Sequence, residues 1–194
     1  SERNIYVTID LKIMLELPDR FRMEWFLYSL QESAIIDRLM TKNLKEINDG
    51  QFTEGHASLM DAVVKRVRFY NRTNTIALDI ETADVLPFTD YCWLCEGMEQ
   101  ATGASVSLSV KTDHSSISSS ELQKYMSFYG RRNPECAVLC DTAFTLDEQS
   151  RQISFLLLDE MDVQRYSSCL SDIEQWLTQV GYRSIQLTCV VKET

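Results

Sequence analysis

Arg66-Val67-Arg68-Phe69-Tyr70-Asn71-Arg72-Thr73-Asn74-Thr75-Ile76-Ala77-Leu78-Asp79-Ile80-Glu81-Thr82 is the stretch that decides the fold. Val67 and Phe69 alternate with Arg66, Arg68 and Tyr70. Ile76, Leu78 and Ile80 then alternate with Thr75, Ala77, Asp79 and Glu81. A period of two puts successive side chains on opposite faces of a strand. Asn71 to Asn74 supply turn chemistry between the two runs, because Asn tolerates left-handed backbone and hydrogen-bonds its own chain. The stretch predicts a hairpin with one apolar face and one charged face.

Helical signals flank this hairpin. Ser58 followed three residues later by Asp61 is a capping signal for a short helical turn. Leu86-Pro87 ends the extended run, Thr89 caps a helix from Asp90 to about Ala101, and Gly103 closes it. Val106, Leu108 and Val110 predict a strand. Asp113-His114-Ser115-Ser116-Ile117-Ser118-Ser119-Ser120 is a low-complexity stretch without periodicity and marks an internal boundary. Ser118 with Glu121 predicts a helix running to Gly130. A second hairpin is expected to carry Val138, Cys140, Phe144 and Leu146 on one face, turn at Asp147-Glu148-Gln149-Ser150, and return through Ile153, Phe155 and Leu157. Val163, Tyr166, Leu170, Ile173, Leu177 and Val180 share one face of a helix closed by Gly181. Ile185, Leu187, Cys189 and Val191 make a last strand. Upstream, Ile5, Val7, Ile9 and Leu11 alternate over 5–15, and Phe21, Trp25, Tyr28, Ile35, Leu39 and Leu44 recur at helical spacing between Pro18 and Gly50.

Helices that interrupt hairpin-linked strands define an α+β fold class. The expected organisation is two small modules, 1–112 and 113–194. From residue 104 onward the order strand, helix, hairpin, helix, strand predicts a ferredoxin-like arrangement. The first half has the same order if residues 5–15 count as its opening strand, and the two halves would then share the strand at 104–111.

Composition bounds the function. Of 194 residues, 44% are apolar and 25% charged, the balance of a soluble globular chain. Nineteen Lys/Arg against twenty-nine Asp/Glu leave a net charge of −10, which argues against coating nucleic acid or an anionic membrane. No apolar run approaches the ~20 residues a membrane helix needs. No signal-peptide core follows Ser1-Glu2-Arg3-Asn4, so a cytoplasmic location is expected. Cys92, Cys95, Cys136, Cys140, Cys169 and Cys189 are then read as reduced thiols.

Two patterns invite a chemical reading. Asp79-Ile80-Glu81-Thr82 at a strand end resembles the first motif of the DEDD exonucleases, in which paired carboxylates hold two divalent metals. Alternation does place Asp79 and Glu81 on one face. The downstream aspartates and histidine such a site needs are missing, since the histidines are His56 and His114. Surface acids are therefore expected, with a metal-dependent 3'-5' exonuclease as the alternative. Cys92-Trp93-Leu94-Cys95 and Cys136-Ala137-Val138-Leu139-Cys140 have spacings that zinc sites use. Their intervening residues read instead as helix and strand interiors, where cysteine packs as a small hydrophobe. No catalytic residue, metal ligand or cofactor is expected. Lys65, Arg66, Arg68 and Arg72 form a basic cluster on the first hairpin, the candidate contact with nucleic acid or a protein partner.

As a series of elements, the chain from about residue 21 onward resembles the N-terminal region of the PolC-type replicative DNA polymerases of low-GC Gram-positive bacteria. The resemblance rests on a helix with spaced aromatics at Phe21, Trp25, Phe26 and Tyr28, and on the run Ala62-Val63-Val64-Lys65-Arg66-Val67-Arg68-Phe69-Tyr70. It continues through the alternating Ile76, Leu78 and Ile80, the step Leu86-Pro87-Phe88-Thr89-Asp90-Tyr91, and Ala104-Ser105-Val106-Ser107-Leu108-Ser109-Val110. It ends with Gln152-Ile153-Ser154-Phe155-Leu156-Leu157-Leu158, the helix at 162–180 before Gly181-Tyr182, and the strand at 184–191. The family usually places an aromatic residue near Ile76. The resemblance implies a non-catalytic part of a DNA-directed DNA polymerase III made of two modules. One is similar to the polymerase-binding domain of the clamp-loader tau subunit, and the other is a truncated KH-like unit. The second lacks the Gly-x-x-Gly loop with which a KH domain clamps backbone, so weak or absent DNA binding is expected. The implied partner is tau or another replisome protein. Acidity and the hairpin–helix pattern equally fit an acidic cytoplasmic binding protein such as a secretion chaperone or an immunity protein.

Overall fold

The alternation at 63–82 folds as a hairpin. In a computed structural model that describes residues 56–60, 62–70 and 72–191, β1 (Val63–Tyr70) pairs antiparallel with β2 (Thr75–Thr82). Val67 lies opposite Leu78 and Arg68 opposite Ala77. At the turn Asn74 adopts φ 47°, the left-handed region that Asn tolerates, and its side-chain amide donates to the Gly103 carbonyl at 2.8 Å. The register shifts between Val64 and Arg66, which leaves Lys65 as an extra residue. This bulge keeps Val64 buried opposite Ile80 while both Lys65 and Arg66 face water.

The strand at 5–15, the helix between Pro18 and Gly50 and Asp61 lie outside the described residues. Ala57–Met60 form the short helix α1. After the hairpin comes α2 (Phe88–Thr102), with Pro87 rather than Thr89 at its N-cap. Proline's fixed φ suits the start of a helix, and the Asp90 and Tyr91 N–H groups donate to the Pro87 carbonyl. Gly103 closes α2 at φ 66°, its N–H donating to Glu99 O at 2.9 Å. The chain returns as β3 (Ser105–Thr112), parallel to β2, with Leu78 opposite Leu108. Tyr91, Leu94, Cys95 and Met98 of α2 and Ile76, Leu78, Leu108 and Val110 of the sheet are buried. Each fully buried side chain of this size contributes about 1.5–3 kcal/mol of burial free energy.

The chain divides into two units after Asp113. In the second, α3 (Ser119–Arg132) leads through a 3-10 turn, Pro134–Cys136, into α4 (Ala137–Cys140). A hairpin of β4 (Phe144–Asp147) and β5 (Gln152–Leu157) follows, then α5 (Glu160–Gln179) and β6 (Gln186–Val191), which is parallel to β5. Both units thus share one order: a hairpin, a crossover helix, and a strand parallel to the hairpin's second strand. The α+β class stands. The element order from β3 onward is as expected, but the strand at 104–111 is not shared by the two halves: among the described residues β3 pairs with β2, and the two sheets are β1-β2-β3 and β4-β5-β6.

Two local expectations change. Residues 137–140 are helical rather than the start of a strand, because Gly130 lets α4 press against α3. A Cβ at Gly130 would lie 2.9 Å from the Cys140 Cβ and 3.1 Å from the Ala137 Cα. For the same reason Gly130 stays inside α3, which continues to Arg132 instead of ending there. The serine-rich stretch is also tied down. Arg151 donates through Nη1 and Nη2 to the Ser115 carbonyl and hydroxyl at 2.7 and 2.8 Å, and through Nε to the Arg183 carbonyl at 2.7 Å. Arg151 itself takes φ 56° at the hairpin turn, a conformation costly for a non-glycine residue and held here by three side-chain bonds.

The second core is aromatic. Tyr125 and Tyr182 meet edge to face at 5.6 Å, and Trp176 lies 5.1 Å from Tyr129 and 5.9 Å from Tyr125. Arg132 stacks over Phe128 at 4.3 Å. Such pairs contribute about 0.5–1.5 kcal/mol each beyond area burial. No helix among the described residues is long and apolar enough to cross a membrane.

Candidate functional site

The side of the first sheet away from α2 gathers the charged residues singled out in the sequence. Alternation brings Asp79 and Glu81 of β2 to that side. Arg66 and Arg68 of β1 and Lys111 of β3 occupy the neighbouring positions, and the bulge adds Lys65. Arg68 Nη2 donates to both Asp79 carboxylate oxygens, at 2.9 and 3.0 Å. Arg66 Nε lies 3.9 Å from the same carboxylate. Lys65 and Lys111 grip Glu81 from its two sides at 3.0 and 3.1 Å. The two lysines, Lys65 first, hold the Glu81 carboxyl below its ordinary value. Arg72, the fourth member of the predicted basic cluster, is exposed at the hairpin turn.

The acidic motif is therefore ion-paired by Lys65, Arg66 and Arg68 of the basic cluster together with Lys111. Four cations against two carboxylates leave this face positive on a chain whose net charge is −10. Between the charges the floor is small and polar, with Ala77, Ser107 and Ser109 aligned across β2 and β3. Among the described residues, Arg68 Nε is buried without a hydrogen-bond partner. A metal pair at Asp79 and Glu81 would have to displace all four cations first. Among the described residues no three His, Cys, Asp or Glu side chains are grouped to hold a metal ion.

A second polar contact in this unit has no local sequence signal. His56 Nδ1 lies 2.8 Å from Asp90 Oδ1, and the imidazole stacks on Trp93 with ring centroids 4.7 Å apart. Asp90 is buried in the first turn of α2, so the imidazole supplies a hydrogen bond that the carboxylate cannot take from bulk water. The partners are 34 residues apart, and no periodicity links them.

The cysteines lie within secondary structure, Cys92 and Cys95 on α2 and the others in the second unit. Cys95, Cys136, Cys140 and Cys169 are buried. Burial, then a hydrogen bond with Cys169, pushes the Cys136 thiol up to about 12. Burial does the same to Cys140, also up to about 12, and the nearby Asp141 adds to it. The Cys169 thiol donates to the Glu135 carbonyl at 3.6 Å. Thiols in such surroundings pack as hydrophobes and react slowly.

Comparison with protein families, curated proteins and solved structures finds no match to this chain.

Proposed function

We propose that the chain is a non-catalytic interaction region of a PolC-type replicative DNA polymerase, which tethers the polymerase to the clamp-loader tau subunit or another replisome protein. The observation that carries the non-catalytic half is the cross-strand network. Asp79 and Glu81, the strand-borne acid pair that resembles the nuclease motif, are engaged by Arg66, Arg68, Lys65 and Lys111. The polymerase half rests on the resemblance of residues 21 to the C-terminus set out above. Two small hairpin–helix units fit a binding role, because sheet edges can take up a partner's extended strand. DNA is a poor partner for a chain of net charge −10, which has little counterion release to gain from phosphates.

Isothermal calorimetry with purified tau, against single-stranded and duplex DNA as controls, tests the proposal. Saturable binding to tau and weak, salt-sensitive binding to DNA are expected. Salt-resistant DNA binding together with no heat from tau would overturn it.

A further inference from the structure

The charged side of the first sheet carries more positive charge than its internal pairs use. Lys65, Arg66 and Lys111 are 42, 53 and 74% exposed, against 26% for Asp79 and 35% for Glu81. The outermost charge on this face is therefore positive. Arg66 Nε stands 3.9 Å from Asp79, the longest of these contacts, and Lys111 reaches Glu81 through one oxygen at 3.1 Å. Both cations keep donors for another acceptor. The register fixes their spacing. Arg66 lies opposite Asp79 and Arg68 opposite Ala77, so two guanidinium groups stem from alternate residues of β1 on one face. Across the sheet from them stand Ala77, Ser107 and Ser109, side chains too short to overtop the cations.

We propose that this face of the first sheet docks an extended acidic segment of a protein partner, whose carboxylates at alternate positions meet Arg66, Arg68, Lys65 and Lys111. Alternate residues of an extended segment lie about 6.5–7 Å apart on one side, which is also the spacing of alternate residues along β1. Carboxylates suit the donors present, since Arg68 already holds both oxygens of Asp79 in this way. The charge complementarity is local. On a chain of net charge −10, a short acidic segment is drawn to the one face where cations outnumber acids four to two, and is repelled elsewhere. A nucleic acid carries a charge on every nucleotide and meets the net charge over its whole length. The proposal rests on the tether reading in taking the partner to be a protein, and it adds the chemistry of the contact.

The test uses the whole 194-residue chain. The probe is a synthetic peptide that alternates glutamate with threonine, and its control carries glutamine in place of every glutamate. The probe should shift the backbone amides of residues 64–68, 77–81 and 107–111 and bind at least about tenfold more tightly than the control at low salt. A variant combining Arg66→Gln and Lys111→Gln, both at exposed positions, should keep its thermal midpoint and lose about tenfold in affinity for the probe. A second variant, Lys124→Gln with Arg165→Gln, makes the same change of net charge in the second unit and should bind the probe as the parent does. Equal losses in the two variants would overturn the proposal, because bulk charge would then explain the binding. So would equal binding of the glutamine peptide, or shifts confined to the second unit. A single-stranded oligonucleotide that binds as tightly as the probe, and is released by the Arg66→Gln and Lys111→Gln changes, would make nucleic acid the occupant and overturn it too. Tau takes no part in these measurements. A probe that fails to bind a chain that still binds tau overturns this proposal and leaves the tether standing.

Discussion

Glu81 shows how one residue reports on the sheet around it. Lys65 and Lys111 lower its carboxyl below the ordinary value of 4.5, so folding favours the charged form. That contribution is fully present above the ordinary carboxylate range and is lost as the pH falls through the lowered value. Replacing Glu81 with Gln should cost no more than about 0.5–1 kcal/mol at neutral pH, because the pair is a third exposed and screened by water. The same variant should show a shallower loss of stability than the parent between about pH 5 and 3, checked by urea unfolding at each pH. The cysteines give a second residue-scale prediction. At neutral pH iodoacetamide should label Cys95, Cys136, Cys140 and Cys169 only after unfolding, as read by mass spectrometry of native and denatured protein. Rapid native labelling of Cys136 or Cys140, or stoichiometric zinc in elemental analysis, would contradict the reading of these thiols as packing groups. The alternation of Asp79 and Glu81 was legible from the sequence, but their partners were less so. Val64 and Val67 are both buried and three residues apart, a spacing that breaks the period of two. It is the sequence trace of the bulge that brings Lys65 to Glu81. The contact of His56 with Asp90 left no trace at all, since it is created by packing between distant segments.

At the scale of elements, Gly130 and Gly97 behave oppositely. A Cβ at Gly130 meets Cys140 and the Ala137 backbone, so Gly130→Ala should destabilise the protein by about 1–3 kcal/mol through overpacking. A Cβ at Gly97, inside α2, meets nothing within 4 Å among the described residues, so Gly97→Ala should stabilise by about 0.5–1 kcal/mol through helix propensity. Chemical denaturation of the two variants checks both signs at once. The pair also explains where element boundaries were legible. Gly103 and Gly181, at φ 66° and 110°, lie past the ends of α2 and α5 where the sequence suggested closure. Gly130 carries the same sequence signal but is kept for a close approach between helices. Nothing in the local pattern separates a closing glycine from a packing one. The buried face of α5, through Tyr166, Cys169, Ile173 and Leu177, follows helical spacing, with Cys169 in the place expected of Leu170. Cysteine's small, weakly polar thiol fits against the Glu135 carbonyl, where a leucine side chain would find no hydrogen-bonding role.

For the whole molecule, the class of fold followed from two hairpins and the helices between them, whereas the pairing of strands did not. Strand 104–111 reads the same whether it joins the hairpin before it or the one after it. Its side chains settle the matter only through packing, with Val106, Leu108 and Val110 buried in line with Ile76, Leu78 and Ile80. Once β3 is assigned to the first unit, the two units have the same topology. The charged residues of β1 and β2, with Lys111, then fall on one face of the first sheet, and their mutual pairing is the observation on which the non-catalytic proposal rests. The most direct test of that proposal is calorimetric titration with magnesium and manganese, run beside an assay for hydrolysis of single-stranded DNA. The ion-paired reading predicts no two-ion binding and no hydrolysis, and no change in either when Asp79 and Glu81 are replaced with Asn and Gln. Two bound divalent ions, with DNA degradation abolished by that double replacement, would contradict it.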